Sequence, residues 1–262
     1  MRQGSVDQEC SSHAPGAPGA SGGPVRRALL LAPLAGLALQ GCAGWGGFLP
    51  PRGNPPAQAD GWHDVPLPGK RLTRYAQVRK DGRLAVHARA QESASMWRRK
   101  VDVSADQLGQ ARWAWRVDRL NAQASIADVD REDAVARVIF AFEGDRARLS
   151  ARNRAMFDLA QALTGEAPPY ATLMYVWETT KPVDTVVVNP RSDRIRKLVV
   201  DSGSDHLGTW RVHQRSLVAD FERAFGEKPG ALVAIGMMTD ADNTQARAEA
   251  WYSPIELLAW EA

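Results

Sequence analysis

Short alternations of apolar and polar residues run through the chain from Trp62 onward and predict a mainly β protein. The clearest strand is 111–117, where Trp113 and Trp115 share one face with a valine and arginines occupy the other. The segment 134–142 is apolar on both faces except for one arginine, which predicts a strand in the middle of a sheet. Further strands are expected at 84–88, 94–101, 172–178, 185–189, 196–201, 210–213, 231–239 and 246–252, followed by a last apolar piece at 255–260.

Two stretches have helical rather than alternating spacing. In 152–163, apolar residues recur every three or four positions and Gly165 follows as a stop signal. In 216–225, Ser216 is a good N-cap and Gly226 ends the periodic pattern. Many strands with only two short helices exclude a repeated βαβ unit, so we predict an antiparallel, jelly-roll-like β-sandwich.

Composition narrows the class of protein without declaring an activity. The mean hydropathy of -0.34 excludes a polytopic membrane protein. The net charge is only +3, and no run of basic residues exceeds the three at 98–100, so the sequence gives no support for nucleic-acid binding. The nine tryptophans are many for 262 residues and draw attention to aromatic surfaces.

The first part of the chain carries an export signal. Arg26 and Arg27 precede the apolar stretch 28–38, which is too short to span a bilayer and is typical of a secretory signal. The following Leu-Gln-Gly-Cys at 39–42 resembles the bacterial lipobox, and that resemblance implies cleavage before Cys42 and lipidation of its thiol. An ordinary signal peptide with an incidental cysteine and twin-arginine export are the alternatives.

These signals divide the chain into four expected parts. Residues 1–24 read as disordered or as a mis-assigned start, with Val25 as the true first residue, and 25–41 as the signal peptide. Residues 42–61 are rich in Gly and Pro and predict a tether, and 62–262 a single β-sandwich domain. Because Ala43 rather than Asp follows the cysteine, the resemblance to proteobacterial lipoproteins implies an outer-membrane anchor facing the periplasm.

Several motifs occur in an order that resembles one family. They are the Trp-Ala-Trp strand at 113–115, Glu-Asp followed by Arg at 132–137, Tyr-Val-Trp at 175–177, and Met-Met-Thr-Asp-Ala-Asp-Asn-Thr at 237–244. Over roughly 62–258 this order resembles the bacterial envelope family of domain of unknown function 3047. The resemblance implies an exported protein of unassigned activity, with a jelly-roll shape similar to that of carbohydrate-binding modules. The family pattern has two aspartates where this chain has Glu132 and Asp133.

Asp240, Asp242 and Asn243 are the first candidate site, in a loop between two predicted strands. Three oxygen-bearing side chains in four residues are a candidate calcium site, and calcium is the only cofactor that the sequence suggests. The alternative is an Asx-turn in which these side chains bond the local backbone. A ligand contact is compatible with either interpretation.

Asp133 and Arg137 are four residues apart in a predicted strand and would therefore share a face. An arginine in a central strand requires a carboxylate partner, because an unpaired buried charge is costly. We interpret the pair as a structural ion pair or as part of a polar patch that contacts a ligand.

Trp177 is the aromatic side chain proposed to contact a ligand, since sugar-binding sandwiches stack sugar rings on exposed aromatics. Trp113 and Trp115 share a face with a valine, which is typical of a core. Trp177 likewise shares a face with Tyr175.

No catalytic residue is predicted. The histidines lack metal-binding spacing, and Ser204, Asp205 and His206 are adjacent, whereas triad members converge from separate segments. The leading hypothesis is non-catalytic binding of a glycan or cell-wall polymer by Asp133, Arg137, Trp177, Asp240, Asp242 and Asn243. The alternatives are a structural lipoprotein that binds another envelope protein and, less favoured, a glycoside hydrolase or lyase with Asp133 and Asp240 as its carboxylates.

Overall fold

The computed structural model describes residues 61–259, which form two β-sheets and two α-helices. Cys42, the predicted signal peptide and nearly all of the predicted tether lie outside the described residues. The strands are β1 His63–Pro66, β2 Arg74–Lys80, β3 Arg83–Gln91, β4 Ser95–Val103, β5 Gln110–Arg116, β6 Ala136–Phe142, β7 Ala171–Glu178, β8 Val186–Val188, β9 Ile195–Ser202, β10 Trp210–Ser216, β11 Leu232–Met238, β12 Arg247–Tyr252 and β13 Glu256–Leu258.

One sheet has the strand order β1-β4-β11-β6-β7-β9-β8, and the other β10-β5-β12-β3-β2, with β13 paired to β5. The predicted mainly β sandwich with two short helices is confirmed. All pairings are antiparallel except one, because β7 and β9 run parallel. The connection between them carries β8, which returns to pair antiparallel with β9.

The helices are α1 Ala151–Thr164 and α2 Leu217–Phe225, close to the predicted spans. Ser216 caps α2 by accepting a hydrogen bond from the Ala219 amide, and Gly226 ends it at a φ of 70°, as predicted. No helix of residues 61–259 is both long and apolar enough to cross a bilayer.

The core lies between the sheets and contains most of the aromatic residues singled out from the sequence. Trp113 packs 4.8 Å from the ring of Tyr175, and Trp115 packs 6.3 Å from that of Trp177. All four side chains are at most 2% exposed. The interpretation of Trp113 and Trp115 as core residues is confirmed.

Asp201 of β9 ties the two sheets together at one end of this core. Its carboxylate accepts hydrogen bonds from the Trp115 indole at 2.7 Å and from Arg211 Nε at 3.0 Å, and it lies 2.8 Å from His213 Nε2. Asp201 is 2% exposed, and its three partners lie on β5 and β10 of the other sheet. A buried carboxylate thus joins strands that share no backbone hydrogen bond.

Candidate functional site

The outer face of the seven-stranded sheet, opposite the core, carries a groove. Along β6, Val138 and Phe140 point into the core, so Arg137, Ile139 and Ala141 point to the outer face. Pairing with the neighbouring strands continues these positions into three cross-strand rows: Met96–Met238–Arg137–Val176, Arg98–Gly236–Ile139–Met174–Lys197, and Lys100–Ala234–Ala141–Thr172–Ile195. Successive rows are two residues apart, so the first and third lie about 13 Å from each other.

We call this feature the methionine groove, because Met96, Met156, Met174 and Met238 line it. These are four of the six methionines in the chain, while Met237 points to the core. The cavity volume is about 610 Å³, within the range of about 300–1,000 Å³ typical of small-molecule sites. Methionine side chains adapt readily to the shape of an apolar partner.

Small residues keep the centre of the floor low. Gly236 lies between Arg98 and Ile139, and a Cβ atom on it would approach the Trp97 carbonyl oxygen at 3.2 Å. Ala141 and Ala234 occupy the next row. A larger residue at 236 would therefore need a backbone shift, and the glycine leaves the space above it free.

Arg137 and Asp240 form the polar end of the groove. Arg137 Nη2 lies 3.0 Å from a carboxylate oxygen of Asp240, and both side chains are 4% exposed. The same nitrogen donates to the Glu132 carbonyl at 2.8 Å. Arg137 has the carboxylate partner that its predicted central position required, but that partner is Asp240. Asp133 precedes β6, so it does not share a strand face with Arg137.

The pKa of Asp240 is raised to about 7, because complete burial penalises the charged form more than Arg137 and the Ala134 amide stabilise it. The pKa of Lys197, which is fully buried next to this end, is lowered to about 8, first by desolvation and then by the nearby Arg137 charge. The charge at this end of the groove therefore changes near neutral pH.

Glu132 organises the neighbouring wall. Its carboxylate accepts hydrogen bonds from Lys197 at 2.6 Å, from the Asn189 amide at 2.7 Å and from Arg191 at 3.0 Å. Lys197 also donates to the Ile126 carbonyl at 2.7 Å. Glu132 thus bridges the segment that enters β6 to two other segments.

Asp133 holds the loop that contains the Asp-Asn motif. Its carboxylate accepts hydrogen bonds from the Asn243 amide at 3.2 Å, the Thr244 amide at 2.8 Å and the Thr244 hydroxyl. Asn243 in turn donates to the Val129 carbonyl at 2.8 Å, and Asp242 pairs with Lys70. The turn is shaped by a carboxylate from another segment, whereas the Asx-turn interpretation expected local side chains to do this.

The candidate metal ligands are close together. Asp133, Asp240 and Asp242 offer carboxylate oxygens within 4.8 Å of one another. Each carboxylate already bonds to protein donors, as given above. Calcium binding stays a prediction, and we expect that an ion would have to displace these contacts.

The structure brings five of the six predicted ligand-binding residues together at the polar end of the groove. Arg137, Asp240, Asp242 and Asn243 line it directly, and Asp133 supports the loop from behind. Trp177 is the exception: it is 1% exposed, points into the core and donates to the Gly203 carbonyl at 3.0 Å. Its strand alternation with Tyr175 explains this placement, because both side chains point away from the groove.

Sequence reasoning missed the apolar part of the groove. Met174 and Ile139 pair across strands, and Met96 pairs with Met238, but these pairings join distant parts of the chain. The available signal was methionine directly before a core-facing aromatic residue, as in Met96 before Trp97 and Met174 before Tyr175. The lysine inside the apolar strand at 197 was a second signal.

Comparisons with known proteins give a family and two distant similarities of fold. A family 11 carbohydrate-binding module from Clostridium thermocellum, in complex with a beta-1,3-1,4-mixed-linked tetrasaccharide, is 10% identical, with a TM-score of 0.38 over 77% of this chain and 91% of that one. The family 11 module of a cellulosomal cellulase of the same organism is 9% identical, with a TM-score of 0.37 over 78% and 91%.

A search of curated proteins gave no match. The family model described as protein of unknown function DUF3047 matches residues 60–256, nearly the whole span that the sequence motifs indicated. The chain therefore belongs to the DUF3047 family.

Proposed function

We propose that this protein is a non-catalytic binding protein of the cell envelope and that the methionine groove is its ligand site. The observation that carries the proposal is the convergence of Arg137, Asp240, Asp242 and Asn243 at one end of a cavity of about 610 Å³. An apolar cavity with a few convergent polar groups is the usual form of a ligand site. A glycan or cell-wall polymer is the ligand class, with its hydroxyl groups at the polar end.

The arrangement of the carboxylates favours binding over hydrolysis. A glycosidase needs two carboxyl groups that are free to act on the substrate. Asp133 is 2% exposed and bonded to the 243–244 turn, and Asp240 is 4% exposed and paired with Arg137. Both groups are therefore engaged in holding the loop and the groove floor.

We expect Ala234→Trp to abolish ligand binding, because the indole would project into the floor of the groove. The measurement is affinity electrophoresis of the full chain, carrying Cys42→Ser to remove the lipidation site, through gels containing a panel of envelope polysaccharides, with and without calcium. Val212→Trp is the matched control, because Val212 is 54% exposed on the other sheet.

Retardation of the parent protein and of Val212→Trp, but not of Ala234→Trp, would support the groove as the site. Equal retardation of all three proteins would contradict this location. Turnover of any polysaccharide in the panel would contradict the non-catalytic proposal.

The proposal includes a lipid anchor at Cys42, the cysteine that follows the lipobox-like sequence. An acyl chain on this residue would contribute about 0.8 kcal/mol of membrane binding per buried methylene. We expect Cys42→Ser to move the protein from the membrane fraction to the soluble fraction and to abolish labelling by an alkyne fatty acid in cells. Cys10→Ser is the control and should change neither property. Labelling that persists in Cys42→Ser would contradict the anchor.

A further inference from the structure

Among the residues that the structure describes, those in the middle of the methionine groove are mainly apolar: Ile139, Ala141, Met174, Ala234, Met156 and Phe157. Thr172, which pairs with Ala141, is the polar side chain of the floor here. Phe157 is the one aromatic ring among the lining residues that the structure describes, and it lies on α1 rather than on the sheet. This surface favours an aliphatic partner, because each methylene buried against it contributes about 0.8 kcal/mol.

Helix α1 extends the apolar surface beyond the groove. Leu159 and Leu163 have the helical spacing of an apolar face, yet they are 59% and 66% exposed. The one buried residue of the helix is Asn153, which donates to Asp193 at 2.6 Å. Thus α1 is fixed by a polar contact near its start, and its apolar side chains remain available beside Met156 and Phe157.

At the polar end of the groove, part of the Arg137 guanidinium has no strong hydrogen-bond partner. Its Nε atom is buried with no hydrogen-bond partner, and Nη1 meets only the Met238 sulfur, at 3.8 Å. A buried donor without an acceptor costs about 1–3 kcal/mol, and a thioether sulfur is a weak acceptor. An oxygen atom of a ligand at this end of the groove would satisfy the free N–H.

The ionisable side chains that line the groove favour an anion over a cation. Five carry positive charge and three are acids: Lys70, Arg98, Arg137, Arg191 and Arg194 against Glu132, Asp240 and Asp242. Arg98 and Arg194 pair with Glu166 and Glu227, which do not line the groove, so the lining itself offers an acidic group more cations than acids.

We infer that the methionine groove binds an anionic amphiphile, with its acidic head at Arg137 and its alkyl chain along Ile139 and Met174 towards α1. This inference rests on the proposed function, because it assigns the ligand chemistry of the same groove. It narrows the envelope ligand to one that carries an alkyl chain, such as an acylated or phosphorylated lipid-linked molecule, and not a bare polysaccharide.

The test is isothermal titration of the full chain with Cys42→Ser, using dodecyl phosphate below its micelle concentration. We expect saturable binding with one equivalent of the probe. Inorganic phosphate lacks the chain and dodecyltrimethylammonium reverses the charge of the head, so each should bind at least about tenfold more weakly.

Two charge variants on α1 locate the chain-binding part. Met156→Glu places a carboxylate at the groove wall and should weaken dodecyl phosphate binding at least about tenfold. Ala155→Glu is the control, because residue 155 is exposed and does not line the groove. Both positions lie on the helix surface, and circular dichroism should show the same fold for both variants.

The outcomes separate this inference from the proposed function. Binding of a polysaccharide that Ala234→Trp abolishes, without binding of dodecyl phosphate, would overturn the amphiphile and leave the proposed function standing. Absence of binding for both classes of probe would overturn both proposals. Equal affinity for dodecyl phosphate and dodecyltrimethylammonium, or equal losses in Met156→Glu and Ala155→Glu, would also overturn the inference.

Discussion

Replacement of Asp201 by alanine is expected to lower the free energy of unfolding by about 3–5 kcal/mol, because it removes the charged partner of a buried network. The Trp115 indole, His213 and Arg211 would lose their shared carboxylate, and Trp115 is 0% exposed. The Trp115 indole N–H is therefore out of reach of solvent in the folded protein and would lose its acceptor, whereas the Arg211 side chain is 35% exposed. Urea unfolding followed by tryptophan fluorescence measures the change.

Asp201→Asn is the matched control, since it keeps one acceptor oxygen while it removes the charge. We expect an intermediate loss of stability for this variant. A loss in Asp201→Ala of less than about 1 kcal/mol would contradict the role of the carboxylate in joining the sheets.

The stability that Asp201 contributes should depend on pH, and the sign of this dependence follows from the lowered pKa of its carboxyl group. Burial opposes ionisation of Asp201, but the hydrogen bonds from His213 and Trp115 outweigh it and lower the pKa below the ordinary value of 3.8. A lowered pKa contributes stability that is complete above the unfolded value and is lost as the pH falls through the folded one. The difference between the parent and Asp201→Ala should therefore shrink only in acid, below about pH 3.8.

Replacement of Arg137 by methionine is expected to lower the free energy of unfolding by about 3–5 kcal/mol in mildly alkaline solution, because it leaves the Asp240 carboxylate buried without its cation. Asp240 lies 3.0 Å from Arg137 and is almost completely buried. Methionine fills much of the same volume, so the loss would come mainly from charge and not from a cavity.

The sign of the pH dependence follows from the raised pKa of Asp240. In the parent this pKa is about 7 against 3.8 for an ordinary aspartate, so the contribution of this group to stability falls as the pH rises between these values. Without Arg137 the pKa rises further, and the fall continues above pH 7. The difference between parent and variant should therefore grow as the pH rises above about 7.

The control is the double variant Arg137→Met with Asp240→Asn, which has no buried charge at this position. It should recover part of the stability that Arg137→Met loses, and its stability should depend less on pH. A loss in Arg137→Met that stays constant between mildly acidic and mildly alkaline solution would show that the ion pair is not the cause.

The sequence predicted elements best where one face of a strand is uniformly apolar. The Trp113 and Trp115 alternation gave a correct strand, because burial of one face imposes a period of two. The run of 134–142 predicted β6, because a strand in the middle of a sheet is apolar on both faces. Strand β2 was missed, since Tyr75 is its one buried residue and charged side chains occupy both ends. An edge strand of this kind needs polar residues and therefore resembles a loop.

The residues of the candidate site were also predictable only in part from the sequence. The Asp-Asn loop was visible because its residues are contiguous, and Arg137 was visible because a charge interrupts an apolar run. The apolar floor depends on the register between β4, β11, β6 and β7, which no local pattern specifies. Trp177 illustrates the converse error: residue type suggested a platform, but strand alternation places the side chain in the core.

The most direct test of the groove as the ligand site is NMR of the full chain with Cys42→Ser, labelled with carbon-13 at the methionine methyl groups. Met96, Met156, Met174 and Met238 line the groove, and Met237 on the opposite face of β11 is an internal control. The account predicts that a bound ligand, whether polysaccharide or dodecyl phosphate, shifts the four groove signals and leaves that of Met237 in place. Saturable binding that leaves all four groove signals unchanged would contradict it.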